Sequence, residues 1–232
     1  PALIIGEENM RELNKNILSK DEFLGKDTAH MPDDKYQWVG AIHTNSGKSF
    51  DIVDPTIDMV DITDIAHALA MQCRYNGHVP SFYSVAEHSV RVADCLCDNG
   101  YPDYAFAGLM HDASEAYIGD IVRPMKQLPE FGGMYKKFEQ AIELCIGERY
   151  HVDLYPMSDI VAAADKAVYN WEVENIRTGE EVGWSCQKSE AEFIAMFNLK
   201  CFFADVHPVP WNEEPLGNKF IDDDEVQTWR DE

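Results

Sequence analysis

Residues 102–117, P-D-Y-A-F-A-G-L-M-H-D-A-S-E-A-Y, decide the fold. Behind Pro102 the segment is apolar on nearly all sides through Ala105, Phe106, Ala107, Leu109 and Met110. A helix with that pattern belongs at the centre of a protein. The pattern predicts a helix from Asp103 to Tyr117, ended by Gly119. Late in it stand His111 and Asp112. At about 3.6 residues per turn, His111 shares a face with Ala107, Gly108 and Glu115, while Asp112 lies about 100° round. Charged groups on a buried helix are costly to desolvate unless a metal or a partner compensates. The small residues one turn earlier leave room for another helix or a ligand.

Outward from this segment the chain reads as helices. Asp61 to Cys73 carries Ile62, Ile65, Leu69 and Cys73 at helical spacing. Ser84 followed by Glu87 is a capping box that opens a helix from Val85 to about Asp98. Further helices are predicted from about Gly133 to Tyr150, from Ser158 or Asp159 to Arg177, and from Glu190 to about Ala204. Ahead of them, short apolar runs flank Asn45-Ser46-Gly47-Lys48, a hairpin signature, and Pro55 closes the second strand. The expected fold is all-α with a small N-terminal β-hairpin. Residues 1–37 read as an extension, 38–205 as the domain and 206–232 as an acidic tail.

A chain of 232 residues suits one domain with extensions. Its net charge of −23 argues against binding long DNA or RNA, where affinity comes from Lys and Arg neutralising phosphates. A small anionic substrate is compatible if a metal and a few local cations reverse the field in one cleft. Arg123, Lys126, Lys136 and Lys137 form such a basic cluster, although solvated helix charges read the same way for Lys136 and Lys137. No apolar run approaches the roughly 20 residues of a membrane span, and no signal peptide is read, so a cytoplasmic location without membrane contact is expected. The six cysteines fit no zinc spacing and are expected as reduced thiols.

Two more residues join His111 and Asp112. His88 shares a helix face with Val85, Val92 and Leu96, and Asp165 flanks an apolar stripe beside Val161. Taken singly, an inward histidine reads as a hydrogen-bonded core residue and a flanking aspartate as a solvated acid. Together, imidazoles and carboxylates from three helices suit one divalent ion: Mn, Co, Zn, Ni or Fe, with Mg as a further option.

The ordered set V-A-E-H-S (85–89), L-M-H-D-A-S-E-A-Y-I-G-D-I-V-R-P-M-K (109–126) and A-D-K (164–166) resembles the HD-domain phosphohydrolases, in particular bacterial and prophage 5′-deoxynucleotidases. The resemblance runs from about Gly40 to Trp171 and includes R-Y-N-G-H (74–78). It implies an HD-domain helical bundle whose metal ligands are His88, His111, Asp112 and Asp165. It also implies Glu115 and Asp120 as the catalytic pair, with their acid and base roles left open. Substrate contacts are implied for Arg74, Tyr75, Asp112, Asp120, Arg123 and Lys126. Tyr75 stands where such enzymes often carry Trp or Phe against the sugar 2′ position, so its hydroxyl is a departure that bears on ribose rejection. The implied activity is metal-dependent removal of phosphate from 2′-deoxynucleotides: monophosphates first, with di- and triphosphates such as dATP as variants. The implied assembly is a homo-oligomer, a dimer or higher. A nucleotide sensor without turnover and a signalling-nucleotide phosphodiesterase are the alternatives. Glu115 and Asp120 argue against the first, and the lack of a second histidine set against the other. His67 reads as a core or capping residue, and Trp171 as packing under Asp165. His78 reads as a brace or a substrate contact, and His30, His43, His151 and His207 have no supporting neighbours.

Overall fold

In the computed structural model, which describes residues 41–206, the hairpin stands where the sequence puts it. Strand β1 (Ala41–His43) pairs antiparallel with β2 (Ser49–Asp51), with Ile42 opposite Phe50. Gly47, at φ 83°, takes the left-handed conformation the turn requires. The hairpin is fastened from its tip and from its second strand. Ser46 donates from N and Oγ to the buried Asp64 at 2.6 and 2.7 Å, and Phe50 stacks on Tyr117 with ring centroids 3.6 Å apart. The expected extension over 1–37, the start of the domain at 38 and the acidic tail beyond 206 lie outside the described residues.

Helix α1 (Ile62–Met71) opens on Asp61, whose side chain accepts from Thr63 N. It stops short of the expected Cys73 because the next residues pair with an extended segment. Val85 N donates to Gln72 O at 3.1 Å and Arg74 N to Tyr83 O at 2.9 Å. Helix α2 (Val85–Asp98) starts as expected, with Ser84 Oγ accepting from Glu87 N at 3.0 Å. The fully buried Glu87 carboxylate does not turn back to the cap. It accepts from Arg91 at 2.8 and 3.1 Å and from Trp184 N at 2.6 Å. Arg91 lies 4.3 Å from the Trp171 ring centre and 5.3 Å from that of Trp184, so Trp171 faces Arg91 and does not simply pack under Asp165.

The helix expected over 103–117 is interrupted. It comprises a tight turn at Pro102–Tyr104, helix α3 (Ala105–Met110), a turn over 111–114 and helix α4 (Glu115–Ile118). The reason lies at His111. Its Nδ1 donates to Gly108 O at 2.8 Å, the acceptor an unbroken helix offers to Asp112 N. The following amides reach only three residues back, Ala113 N to Met110 O and Glu115 N to Asp112 O. Gly119, at φ 82°, ends α4 as expected.

Helix α5 (Arg123–Lys126) was not expected from the sequence. Helix α6 (Pro129–Tyr150) begins before Gly133 because Pro129 suits a first helical position. Helix α7 (Asp159–Asn175) opens on Ser158, which caps Ile160 N, and ends before Arg177; helix α8 (Cys186–Val206) begins before Glu190. The described chain is therefore mostly helical with one small two-stranded antiparallel sheet, as the sequence predicts. Among the described residues no helix is long and apolar enough to cross a membrane. Cys73, Cys95, Cys97, Cys145 and Cys186 are free thiols, and the Cys201 side chain is outside the described set.

Helix α2 is the hub and touches α1, α3, α7 and α8. Its approach to α3 depends on Gly108, where a Cβ would overlap Leu96 Cδ1 and sit 3.3 Å from Val92 Cγ1. Leu96 and Val92 are fully buried and have little room to yield. Gly108→Ala is expected to destabilise the protein by about 1–3 kcal/mol, the range for an overfilled core. Urea denaturation of the two proteins measures this, and equal stability would show that the helices have slack here.

Candidate metal centre

Helices α2 and α7 and the turn after α3 each send polar side chains to one point. His88 comes from the buried face of α2, His111 and Asp112 from the tightened turn, and Asp165 from α7. His88 Nε2 lies 3.3 Å from His111 Nε2, 3.7 Å from Asp112 Oδ2 and 3.0 Å from Asp165 Oδ1. His111 Nε2 lies 3.2 Å from Asp112 Oδ2 and 3.9 Å from Asp165 Oδ1. Ligand atoms about 2.1 Å from a shared ion are about 3.0 Å apart at right angles and about 3.4 Å apart at a tetrahedral angle. The separations among His88, His111 and Asp112 suit one ion, and these three form a group able to hold a metal; Asp165 reaches both imidazoles but stands outside that group.

The outer ring nitrogens fit the same purpose. His111 Nδ1 donates to a carbonyl, which turns Nε2 inward. His88 Nδ1 lies 2.6 Å from Glu172 Oε1, and Glu172 is fully buried. Sequence reading missed Glu172, although a signal was present: it lies seven residues after Asp165 in the same helix, hence on the same face.

The residues expected at substrate gather on one side of this cluster. Arg74 Nη1 is 3.5 Å from Asp112 Oδ2 and its Nε is 3.3 Å from Glu172 Oε2. Tyr75 is held by a 2.5 Å bond from its hydroxyl to Glu172 Oε2. Gln72, also missed, ties Glu115 to Asp120 by donating to Glu115 O and accepting from Asp120 N, both at 3.0 Å. Lys126 Nζ bonds Glu115 Oε1 at 3.2 Å and Glu139 Oε1 at 3.1 Å, which puts it at the Glu115 carboxyl and already paired. Arg123 is exposed at the start of α5, and Lys136 and Lys137 are exposed on α6. His67, expected as a core or capping residue, is only partly buried and meets Glu190 at 3.2 Å across α1 and α8. His78 is exposed, and His151 is the left-handed cap of α6.

The chain is 32% identical over 139 residues to the uncharacterized protein RCAP_rcc00048 of Rhodobacter capsulatus, covering 70% of that protein and 56% of this chain. The chain belongs to that protein's family. It is also 44% identical over 111 residues to the uncharacterized protein YfdR of Escherichia coli K12, spanning 57% of YfdR and 47% of itself. No protein-family model matches the chain.

In this family member the charges around the cluster are pulled in opposite directions. Burial opposes charge on His111, but Asp112 and Asp165 outweigh it and push the ring up to about 9. Burial likewise opposes ionisation of Asp112 and Asp165, yet the two imidazoles hold both carboxyls below their ordinary value. Burial is also resisted at Glu172, which His88 and Arg74 bring down to about 2. On the other side burial prevails. Glu115 is pushed well above its ordinary value by burial and by Asp112 and Asp120, against Lys126. Its Oε2 is buried without a partner. Burial raises Asp120 too, with Arg74 opposing.

Glu143, a third residue the sequence reading missed, is pushed up to about 8 by burial and by Glu139 and Asp112. The unfolded chain releases this proton near the ordinary glutamate value of about 4.3. The folded chain therefore holds it longer, and the resulting stability is complete below that pH and lost as pH rises through about 8. Glu143→Gln carries no such loss. Urea denaturation of metal-stripped proteins between pH 4.5 and 9 should find the variant gaining on the parent up to about pH 8 and level beyond it. A difference that does not change with pH would place Glu143 in solvent.

Proposed function

We propose that the protein is a metal-dependent phosphohydrolase of the HD class that removes phosphate from small 2′-deoxynucleotides. The observation that carries this reading is the convergence of His88, His111 and Asp112 from distant stretches of chain, with atoms 3.2–3.7 Å apart, Asp165 Oδ1 at 3.0 and 3.9 Å from the two imidazoles, and Arg74, Glu115 and Asp120 alongside. A divalent ion held by those four side chains supplies Lewis acidity and neutralises phosphate charge.

The chain's own residues do the rest. Arg74 is fixed at Nε by Glu172, and its remaining N–H groups can clamp phosphate oxygens. Burial among other acids pushes the Glu115 carboxyl well above its ordinary value, which favours it as the donor to the leaving 5′ oxygen. Asp120, held in place through Gln72, orients and deprotonates the attacking water. Lys126 offsets part of the charge around Glu115 and stays paired with Glu139. The Tyr75 ring forms the wall beside the sugar. Its hydroxyl hydrogen is committed to Glu172, so it has no donor left for a ribose 2′-OH.

A screen of deoxy- and ribonucleotides as mono-, di- and triphosphates, with Mn(II), Co(II) and Mg(II), should detect phosphate release chiefly from deoxynucleoside 5′-monophosphates. Glu115→Gln should lower kcat by about 10²–10⁴ while nucleotide and metal affinity persist. Binding of metal and nucleotide without phosphate release in the parent would make it a sensor instead. Tyr75→Ala should open the wall and raise ribonucleotide relative to deoxynucleotide turnover by about 5- to 150-fold, the equivalent of stranding one hydroxyl at about 1–3 kcal/mol. An unchanged ratio would place sugar choice elsewhere.

A further inference from the structure

Glu172 is fully buried, and four groups from residues 74–88 meet on its two oxygens. Oε1 faces His88 Nδ1 at 2.6 Å and accepts from Tyr83 Oη at 2.9 Å. Oε2 accepts from Tyr75 Oη at 2.5 Å and Arg74 Nε at 3.3 Å. A carboxylate has about four acceptor sites, so these contacts account for its full capacity. The guanidinium can only donate, and a carboxylate ringed in this way has no proton to give His88. Nδ1 of His88 must therefore be the donor, and Nε2 is left to face His111, Asp112 and Asp165.

The same carboxylate anchors a strained segment. Tyr75 and Asn76 both adopt left-handed backbone conformations, φ 58° and 53°, which are unfavourable for residues other than glycine. Such a turn persists only where its surroundings over-determine it, and both residues that enter it, Arg74 and Tyr75, are tied to Glu172. Asp165 and Glu172 lie on one face of α7, so the register of that helix sets the ligand and its support together.

We propose that Glu172 is the positioning residue of the metal centre: it fixes the ring of His88 toward the ion, and through the same carboxylate it locks the Arg74–Tyr75 turn beside it. This rests on the reading of the four-residue cluster as a metal centre. The test uses metal-stripped full-length protein titrated with Zn(II) against a chromophoric chelator, comparing the parent with Glu172→Ala, Glu172→Gln and His111→Ala. The exposed Glu192→Gln serves as control. Circular dichroism and thermal melts establish that each variant is folded.

Glu172→Ala is expected to bind Zn(II) about 10- to 100-fold more weakly than the parent. Glu172→Gln should recover part of that loss, since its single carbonyl can still accept from His88. Long-range ¹H–¹⁵N spectra of the Zn(II)-loaded parent should show His88 protonated at Nδ1, as ligation through Nε2 requires, and a His88 ligating through Nδ1 overturns the proposal. Amide exchange over 74–78 should quicken in Glu172→Gln and stay unchanged in Glu192→Gln. Parent-like Zn(II) affinity in Glu172→Ala, with affinity lost in His111→Ala, overturns the role of Glu172 and leaves the metal centre standing. Failure of the parent itself to bind Zn(II) overturns both. If Glu172→Ala does not fold, Glu172→Gln decides: parent-like affinity together with unchanged exchange over 74–78 overturns the proposal.

Discussion

The buried contact between His88 and Glu172 is the constraint on which the rest of the structure turns. A fully buried imidazole and a fully buried carboxylate are tolerable only if their hydrogen-bonding capacity is met. Meeting it brings in Arg74, Tyr75 and Tyr83 on one side and His111, Asp112 and Asp165 on the other. Those groups sit on the segments around α1, α2, α3 and α7, so satisfying one ion pair fixes how four stretches of chain approach each other. Gly108 allows the closest of these approaches and also supplies the carbonyl that orients His111.

The site divides by charge over a short distance. Around the two imidazoles the carboxyls are held ionised, which prepares a place for positive charge. One turn further on, burial and the neighbouring acids Asp112 and Asp120 push the Glu115 carboxyl well above its ordinary value. Lys126 and Arg74 moderate that side, and Lys126 is shared with Glu139. Two carboxyls three residues apart are thus shifted in opposite directions.

Local rules gave way wherever the site made its own demands. The helix expected across 103–117 is broken at His111, where a ring nitrogen takes a backbone acceptor. Helix α1 ends early because Gln72 and Arg74 enter a backbone pairing with 83–85. The capping box at Ser84 is half kept, since Glu87 leaves the cap for Arg91 and Trp184. In each case a contact distant in sequence competes with a local one and prevails.

The sequence by itself determined the helical class, the hairpin and its place, the start of α2 at Ser84 and the start of α7 at Ser158. These follow from apolar periodicity, turn glycines and caps, which act within a few residues. It also pointed to His88, His111, Asp112 and Asp165, because polar groups on otherwise apolar faces stand out against that periodicity. Only the tertiary structure decided that His88, His111 and Asp112 meet with Asp165 against the two imidazoles, and that Glu172 and Gln72 support them. Glu172 sits on a helix among several acids, and beyond its seven-residue spacing from Asp165 nothing in its neighbours distinguishes it from Glu174, which the fold leaves exposed. What separates them is burial against partners about 84 to 98 residues away, and no local pattern encodes that.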